Sequence, residues 1–217
     1  MNELNNYYNN NREEMLDFLP DLYTKVLEIG CGTGRFKDNL NSSCEYWGVE
    51  QNEIVGEKAA NKLYKVIIGN FMEINELLPD DYFDLIICND IIEHIDDYNL
   101  FFKILKKKMN VDAHIIGSIP NVRFYSNLIR LIIFKDWEYM DDGILDRTHL
   151  RFFTKKSLMR TFENNNFSIE KFYGINGIKF FVFSIKSFLK NICILLLGSD
   201  SRYLQFGFCI KKIEFSE

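Results

Sequence analysis

Val26-Leu27-Glu28-Ile29-Gly30-Cys31-Gly32-Thr33-Gly34 is an apolar run that ends in three alternate glycines. Such a run suits a buried strand turning sharply into a helix, with glycine allowing close approach where a Cβ would collide. Unpaired N–H groups at the turn, with the dipole of the next helix, favour a negatively charged or carbonyl group. A tight strand-to-helix turn needs glycine with or without a ligand, so Glu50 weighs heavily. It ends a second short strand, 45–50, at 20 positions after Gly30, the distance at which an acid reaches both hydroxyls of a ribose. A dinucleotide fingerprint, G-x-G-x-x-G, would require glycine at 35, where the chain has Arg35. No clear second mononucleotide half follows, so a smaller nucleoside fits better.

Outward from this stretch, strands and helices alternate. A helix over 35–40 leads to strand 45–50, helix 52–63 to strand 65–69, and Leu85-Ile86-Ile87-Cys88 reads as a strand buried on both faces. Helix 97–109 and strand 113–119, closed by Pro120, complete the rhythm. Alternation of this kind implies right-handed crossovers and a mainly parallel sheet. Upstream, a helix over 12–19 places Met15, Leu16 and Leu19 on one face. Downstream, 122–135 reads as an apolar helix and 136–153 as an irregular insertion over the sheet. Thr154 then caps a helix over 155–165, and 167–173 and 203–212 alternate as strands. The apolar stretch 178–198 carries Lys179, Lys186 and Lys190 on one helical face, which leaves no span of about 20 apolar residues for a membrane crossing. It reads as an amphipathic packing helix, or as a membrane-surface or homodimer contact.

Composition narrows the function. With 26 basic against 31 acidic residues the formal charge is −5 and no basic block stands out, so nucleic acid is not expected as a partner. The start, MNELNNYYNNN, lacks the pattern of a secretory signal, and a cytoplasmic, reducing setting is expected. Five scattered cysteines without CxxC spacing read as buried thiols.

VLEIGCGTG, the strand-end acid in GVE and FDLIICNDIIEHI resemble, in order, the motifs of class I S-adenosylmethionine-dependent methyltransferases. YYNNNREEMLDFLP, DRTHLRFFT and Leu204-Gln205-Phe206 are similar to a subgroup found with glycosyltransferases in bacterial surface-polysaccharide pathways. The resemblance implies an α/β, Rossmann-like, seven-stranded and mostly parallel sheet with helices on both faces. The last strand would be antiparallel, with an insertion after strand five. It implies S-adenosyl-L-methionine as cofactor. Glu28, Gly30, Cys31, Gly32 and Gly34 would line its methionine end, with Glu50 on the ribose and Gln51 beside the adenine. Asn70, where the family commonly has Asp, and Phe71 would meet the adenine, while Asn89 and Asp90 would meet the amino and carboxylate groups. His94 is a cofactor contact or a capping histidine, and Tyr7, Tyr8 and Arg12 fold over the site or belong to a polar tail.

On the acceptor side, Asp146-Arg147-Thr148-His149-Leu150-Arg151 concentrates an imidazole, two guanidiniums and a carboxylate. His149 is the expected general base, with Arg147 and Arg151 binding an acidic or phosphorylated acceptor. The same motif also suits a hydrogen-bonded structural corner. Asn121, Arg123 and Tyr125 stand where acceptor groups belong, or simply open a helix. Asp90, Asp141 and Asp142 have no spacing that fixes an ion, so no metal is expected.

The reading is one methyltransferase domain: an N-terminal cover (1–24), a cofactor core (25–119), an acceptor-side insertion (120–153) and C-terminal helices and strands (154–217). Its expected reaction moves a methyl group to a hydroxyl or amine of a small polar acceptor, such as a sugar or sugar nucleotide. The rivals are a cofactor-binding partner subunit without catalysis and a nicotinamide-dependent oxidoreductase.

Overall fold

In the computed structural model, which describes residues 11–40, 43–179 and 185–213, the expected alternation closes into a seven-stranded sheet. The strands are β1 (Lys25–Ile29), β2 (Glu45–Glu50), β3 (Lys65–Ile68), β4 (Phe83–Asn89), β5 (Met109–Pro120), β6 (Phe167–Gly177) and β7 (Tyr203–Lys212). Their order is β3-β2-β1-β4-β5-β7-β6. β1 to β5 pair in parallel, and β7 lies antiparallel between β5 and β6.

Period-two alternation sorts side chains onto two faces of the central strands. Leu27, Ile29, Ile86 and Cys88 join one buried cluster with Phe101, Phe102 and Leu105 of helix Tyr98–Lys108. Val26, Leu85, Ile87 and Ile116 join the other, with Met15, Phe18 and Phe36. The ring of Phe102 meets those of Phe101, Phe162 and Phe167 at centroid distances of 5.4 to 5.9 Å. Full burial of such a side chain stabilises by about 1.5–3 kcal/mol.

Several local expectations change. Residues Glu13–Phe18 form a 3-10 helix, whose three-residue turn buries Met15 and Phe18 and leaves Leu16 37% exposed, so Leu16 does not share the packed face. The expected helix over 35–40 is a 3-10 turn, Phe36–Asn39. The expected helix over 122–135 divides into an α-helix, Tyr125–Ile129, and a π-helical turn, Arg130–Phe134, before Lys135 turns left-handed at φ 55°. Thr154 does cap helix Lys155–Asn164, accepting from the Ser157 N–H in a reciprocal capping box. Of the apolar 178–198 stretch, Ile185–Leu197 is helical, and Lys179 lies outside that helix. No helix among the described residues is long and apolar enough to cross a membrane.

Because β2 and β3 lie to one side of β1 and β4 and β5 to the other, the chain reverses direction between β1 and β4. Ligands in open α/β sheets bind beyond the carboxyl ends of strands at such a switch point. There the glycine turn after β1 lies beside the segment that follows β4, with Gly30 close against Ile91.

Candidate active site

The turn after β1 is held by three left-handed glycines, with φ of 72° at Gly30, 53° at Gly32 and 74° at Gly34. At Gly30 an added Cβ would lie 2.4 Å from Ile91 Cδ1, so the close approach of this turn to the segment after β4 requires glycine. The N–H groups of the turn are less free than the sequence suggests. Gly30 and Cys31 donate to the Val49 carbonyl, Gly34 donates to Cys31, and Gly32 donates to Glu50 Oε2 at 2.9 Å. With only a 3-10 turn following, the expected helix dipole has little length to build on.

Glu50 is 7% exposed, and its Oε1 accepts from the Asn52 N–H at 2.9 Å, so the acid is fixed at the end of β2 beside the glycine turn. Glu28 lies in the middle of the site, buried, with Oε2 accepting from Tyr46 Oη at 2.7 Å. Burial raises its pKa from 4.5 to about 8, against the lowering influence of Tyr46 and Arg12. Burial likewise pushes the Cys31 thiol upward and keeps it protonated. Gln51 is exposed.

Asp90 adopts a left-handed φ of 52° and gathers three partners. Arg12 Nη2 lies 2.6 Å away, Ser118 Oγ donates at 2.7 Å, and Gln205 Nε2 donates at 2.7 Å. Sequence reasoning found Asp90 and Arg12 but gave Ser118 no role and Gln205 none beyond its place in a motif. Ser118 was within reach of a register argument, since it pairs with Asn89 across β4 and β5. Tyr46, the partner of Glu28, left no comparable signal.

Asn89 stands apart. Its side-chain oxygen and nitrogen are both buried without a hydrogen-bond partner among the described residues. A buried amide left unpaired costs about 1–3 kcal/mol per group, so a polar ligand is the natural completion. The ammonium and carboxylate of an amino acid supply a partner for each atom. Glu50 at the end of β2 could hold a ribose and Asn89 an amino-acid end, the two groups that S-adenosylmethionine carries.

Asn70 and Phe71 are placed by the next turn. Asn70 caps it by accepting from the Met72 N–H, and Phe71 is buried against Phe101. Tyr8 lies outside the described residues.

The acceptor-side motif is bolted to the segment after β4. Leu150 and Arg151 N–H groups both donate to the Glu93 carbonyl, and the Thr148 backbone oxygen lies 3.2 Å from His94 Nδ1. His149 is 9% exposed, with Nδ1 3.0 Å from the Ile144 carbonyl and Nε2 4.0 Å from Glu93 Oε1. The His94 and His149 rings meet edge to face at 4.8 Å. Burial, then the neighbouring Asp90, pushes the Glu93 carboxyl well above the usual carboxylate range, and burial lowers His94. Arg151 is drawn to Asp96 at 3.1 Å, and Arg147 to Asp141 at 2.7 Å on the exposed side. Asn121 Nδ2 donates to the Asp200 and Tyr203 carbonyls, and Arg123 pairs with Asp200 at 2.9 Å. Tyr125 stacks edge-on against Phe124. The structure thus brings His149, His94 and Glu93 together and directs Asn121 and Arg123 toward the 197–203 segment.

Residues 4–171 match the model of a family described as a methyltransferase domain. A ubiquinone biosynthesis O-methyltransferase from Rickettsia bellii is 24% identical over 159 residues, 70% of this chain. The alignment spans 64% of that relative's length. A SAM-dependent methyltransferase from Archaeoglobus fulgidus shares the fold with a TM-score of 0.62 and 23% identity, covering 97% of this chain and 92% of its own. A possible histamine N-methyltransferase from Thermotoga maritima does so with a TM-score of 0.64 and 19% identity, covering 98% and 96%. The chain belongs to this methyltransferase-domain family, which implies S-adenosylmethionine as the cofactor.

Proposed function

We propose that this chain transfers a methyl group from S-adenosylmethionine to a hydroxyl or amine of a small polar acceptor, of the sugar or sugar-nucleotide type. The observation that carries the reading is the Asn89 amide at the end of β4, buried and unpaired among the described residues, on the strand next to the one that leads into the glycine turn. Bound there, the cofactor supplies an activated sulfonium methyl for in-line displacement. The protein must then align the acceptor and exclude water. Glu50 would hold the ribose, while Asn89 and the Arg12–Asp90 pair would fix the amino-acid end. The polar 146–151 segment supports a polar acceptor. With Nδ1–H donated to the Ile144 carbonyl, His149 keeps its Nε2 lone pair available to take a hydroxyl proton. The neighbouring Arg147, exposed and 2.7 Å from Asp141, is suited to an anionic acceptor group.

One observation favours a second acceptor class. Ile132, Ile133 and Phe134 are 58 to 70% exposed, and Leu195 and Leu196 are both 80% exposed on the helix packed beside Tyr125–Ile129. An apolar surface of this kind suits a membrane interface or a hydrophobic-tailed acceptor. The Rickettsia relative, named for ubiquinone biosynthesis and O-methylation, points the same way.

Incubating the chain with methyl-labelled cofactor and separated aqueous and lipid extracts distinguishes the two. Label in sugar-containing aqueous products supports the first reading, and label in the lipid fraction the second. Tight cofactor binding with no transfer to any fraction would instead favour a non-catalytic partner subunit.

A further inference from the structure

We propose that Glu93, His94 and His149 form a binding site for one divalent cation of the imidazole-preferring, zinc-like class. Sequence spacing gives no hint of it, because two ligands come from the turn Ile92–His94 after β4 and the third from the 146–151 segment. The fold joins the two segments through paired backbone hydrogen bonds to the Glu93 carbonyl.

The case begins with Glu93. Its side chain is 1% exposed, and neither carboxylate oxygen has a hydrogen-bond partner among the described residues. Burying an unpaired carboxylate is among the costlier things a fold can do, and such groups are normally paired or bound to metal. Among the described residues the basic side chain facing it is His149, whose Nε2 lies 4.0 Å from Oε1. That separation is too long for a hydrogen bond. It is close to the span between two ligands of one ion, about 3–4 Å when each bond is about 2.0–2.2 Å.

Both imidazoles are prepared for the role. A carbonyl can only accept, so the contacts of His149 Nδ1 with Ile144 and of His94 Nδ1 with Thr148 place a hydrogen on each Nδ1. Each neutral ring then carries its lone pair on Nε2. Metal-bound histidines are usually oriented in this way, by a backbone carbonyl on the other ring nitrogen. The potential ligand atoms of the three residues lie within 4.8 Å of one another.

Two imidazoles and a carboxylate select against magnesium and calcium, which prefer oxygen. Three protein ligands with a further position open is the pattern of a catalytic rather than a structural zinc. The use of that open position rests on the methyl-transfer reading: it would hold the acceptor oxygen and lower the pKa of its hydroxyl. His149 would then be a ligand and not the proton acceptor. The cation site itself does not depend on that reading.

The full-length chain, freed of metal by chelation, is titrated with ZnCl2 in a calorimeter in the absence of cofactor, with MgCl2 as competitor. One equivalent should bind, with no displacement by millimolar magnesium. Glu93→Gln, His94→Gln and His149→Gln should each weaken binding by about 10- to 100-fold or more. His114→Gln should leave it unchanged, because His114 pairs with Glu170 elsewhere. Should the site variants fail to fold, cobalt(II) added to the wild-type chain decides the matter. Intense visible bands of four- or five-coordinate cobalt, bleached by one equivalent of zinc, support the site. A chain without such bands, or zinc binding untouched by all three folded substitutions, overturns it. S-adenosylhomocysteine binding, measured separately, would report on the methyltransferase reading whether or not the metal binds.

Discussion

Arg12 and Asp90 form an ion pair with Nη2 and Oδ2 2.6 Å apart, joining the N-terminal segment to the end of β4. Both side chains are mostly buried, at 17% and 15% exposure. Arg12 also donates to Ser118 Oγ at 3.2 Å, and Ser118 in turn donates to Asp90. The guanidinium therefore closes a network and does more than a surface contact would. Arg12→Ala should lower stability by about 1.5–3 kcal/mol, the range for a hydrogen bond to a charged group. Arg12→Lys should recover only part of it, because an ammonium cannot reproduce the fork. Urea denaturation measures both, and an alanine variant as stable as the parent would show the network to be dispensable.

Gly30 is constrained twice, by its left-handed φ of 72° and by the 2.4 Å that would separate an added Cβ from Ile91 Cδ1. Gly30→Ala should destabilise by about 1–3 kcal/mol from backbone strain alone, with a steric addition. Ile91→Val removes the Cδ1 atom, so the double variant should regain the steric part and keep the strain. Thermal melting of the single and double variants would separate the two contributions. Equal melting temperatures for the parent and Gly30→Ala would contradict both.

The Glu28 carboxyl makes stability depend on pH in an unusual direction. Burial raises its folded pKa from 4.5 to about 8, with Glu50 adding to the rise and Tyr46 and Arg12 opposing it. Between those values the folded state holds a proton that the unfolded state has released. The contribution is therefore full below about 4.5 and is lost as pH rises toward 8. Glu28→Gln keeps the shape and can still accept from Tyr46, so it should flatten the decline. Unfolding free energies between pH 5 and pH 8.5 test this, and parallel profiles for the two proteins would refute it.

The sheet was legible in the sequence where burial on both faces wrote continuous apolar runs, as in 26–29 and 85–88. The capping box at Thr154 was legible because its chemistry is local. The 12–19 segment misled because Leu16 and Leu19 fit an α-helical period, while the chain winds tighter and packs Phe18 instead. The positions of Gly30, Glu50 and Asn89 at or just past strand ends were legible because a βαβ pattern fixes such ends in space. The meeting of Glu93 with His149 was not, since it depends on how an irregular segment folds back over β4. Gln205 supports Asp90 only because β7 inserts beside β5, a pairing that no local pattern specifies.

The central claim is that the glycine turn and Glu50 hold the nucleoside of S-adenosylmethionine. Calorimetric titration of the chain with S-adenosylhomocysteine tests it most directly, with NAD as the alternative ligand and Glu50→Ala as the comparison. The account predicts one-to-one binding of S-adenosylhomocysteine and no binding of NAD. The alanine variant should bind more weakly by about 1–3 kcal/mol, while retaining a cooperative melt. Binding of NAD without S-adenosylhomocysteine, or an affinity indifferent to Glu50, would contradict it.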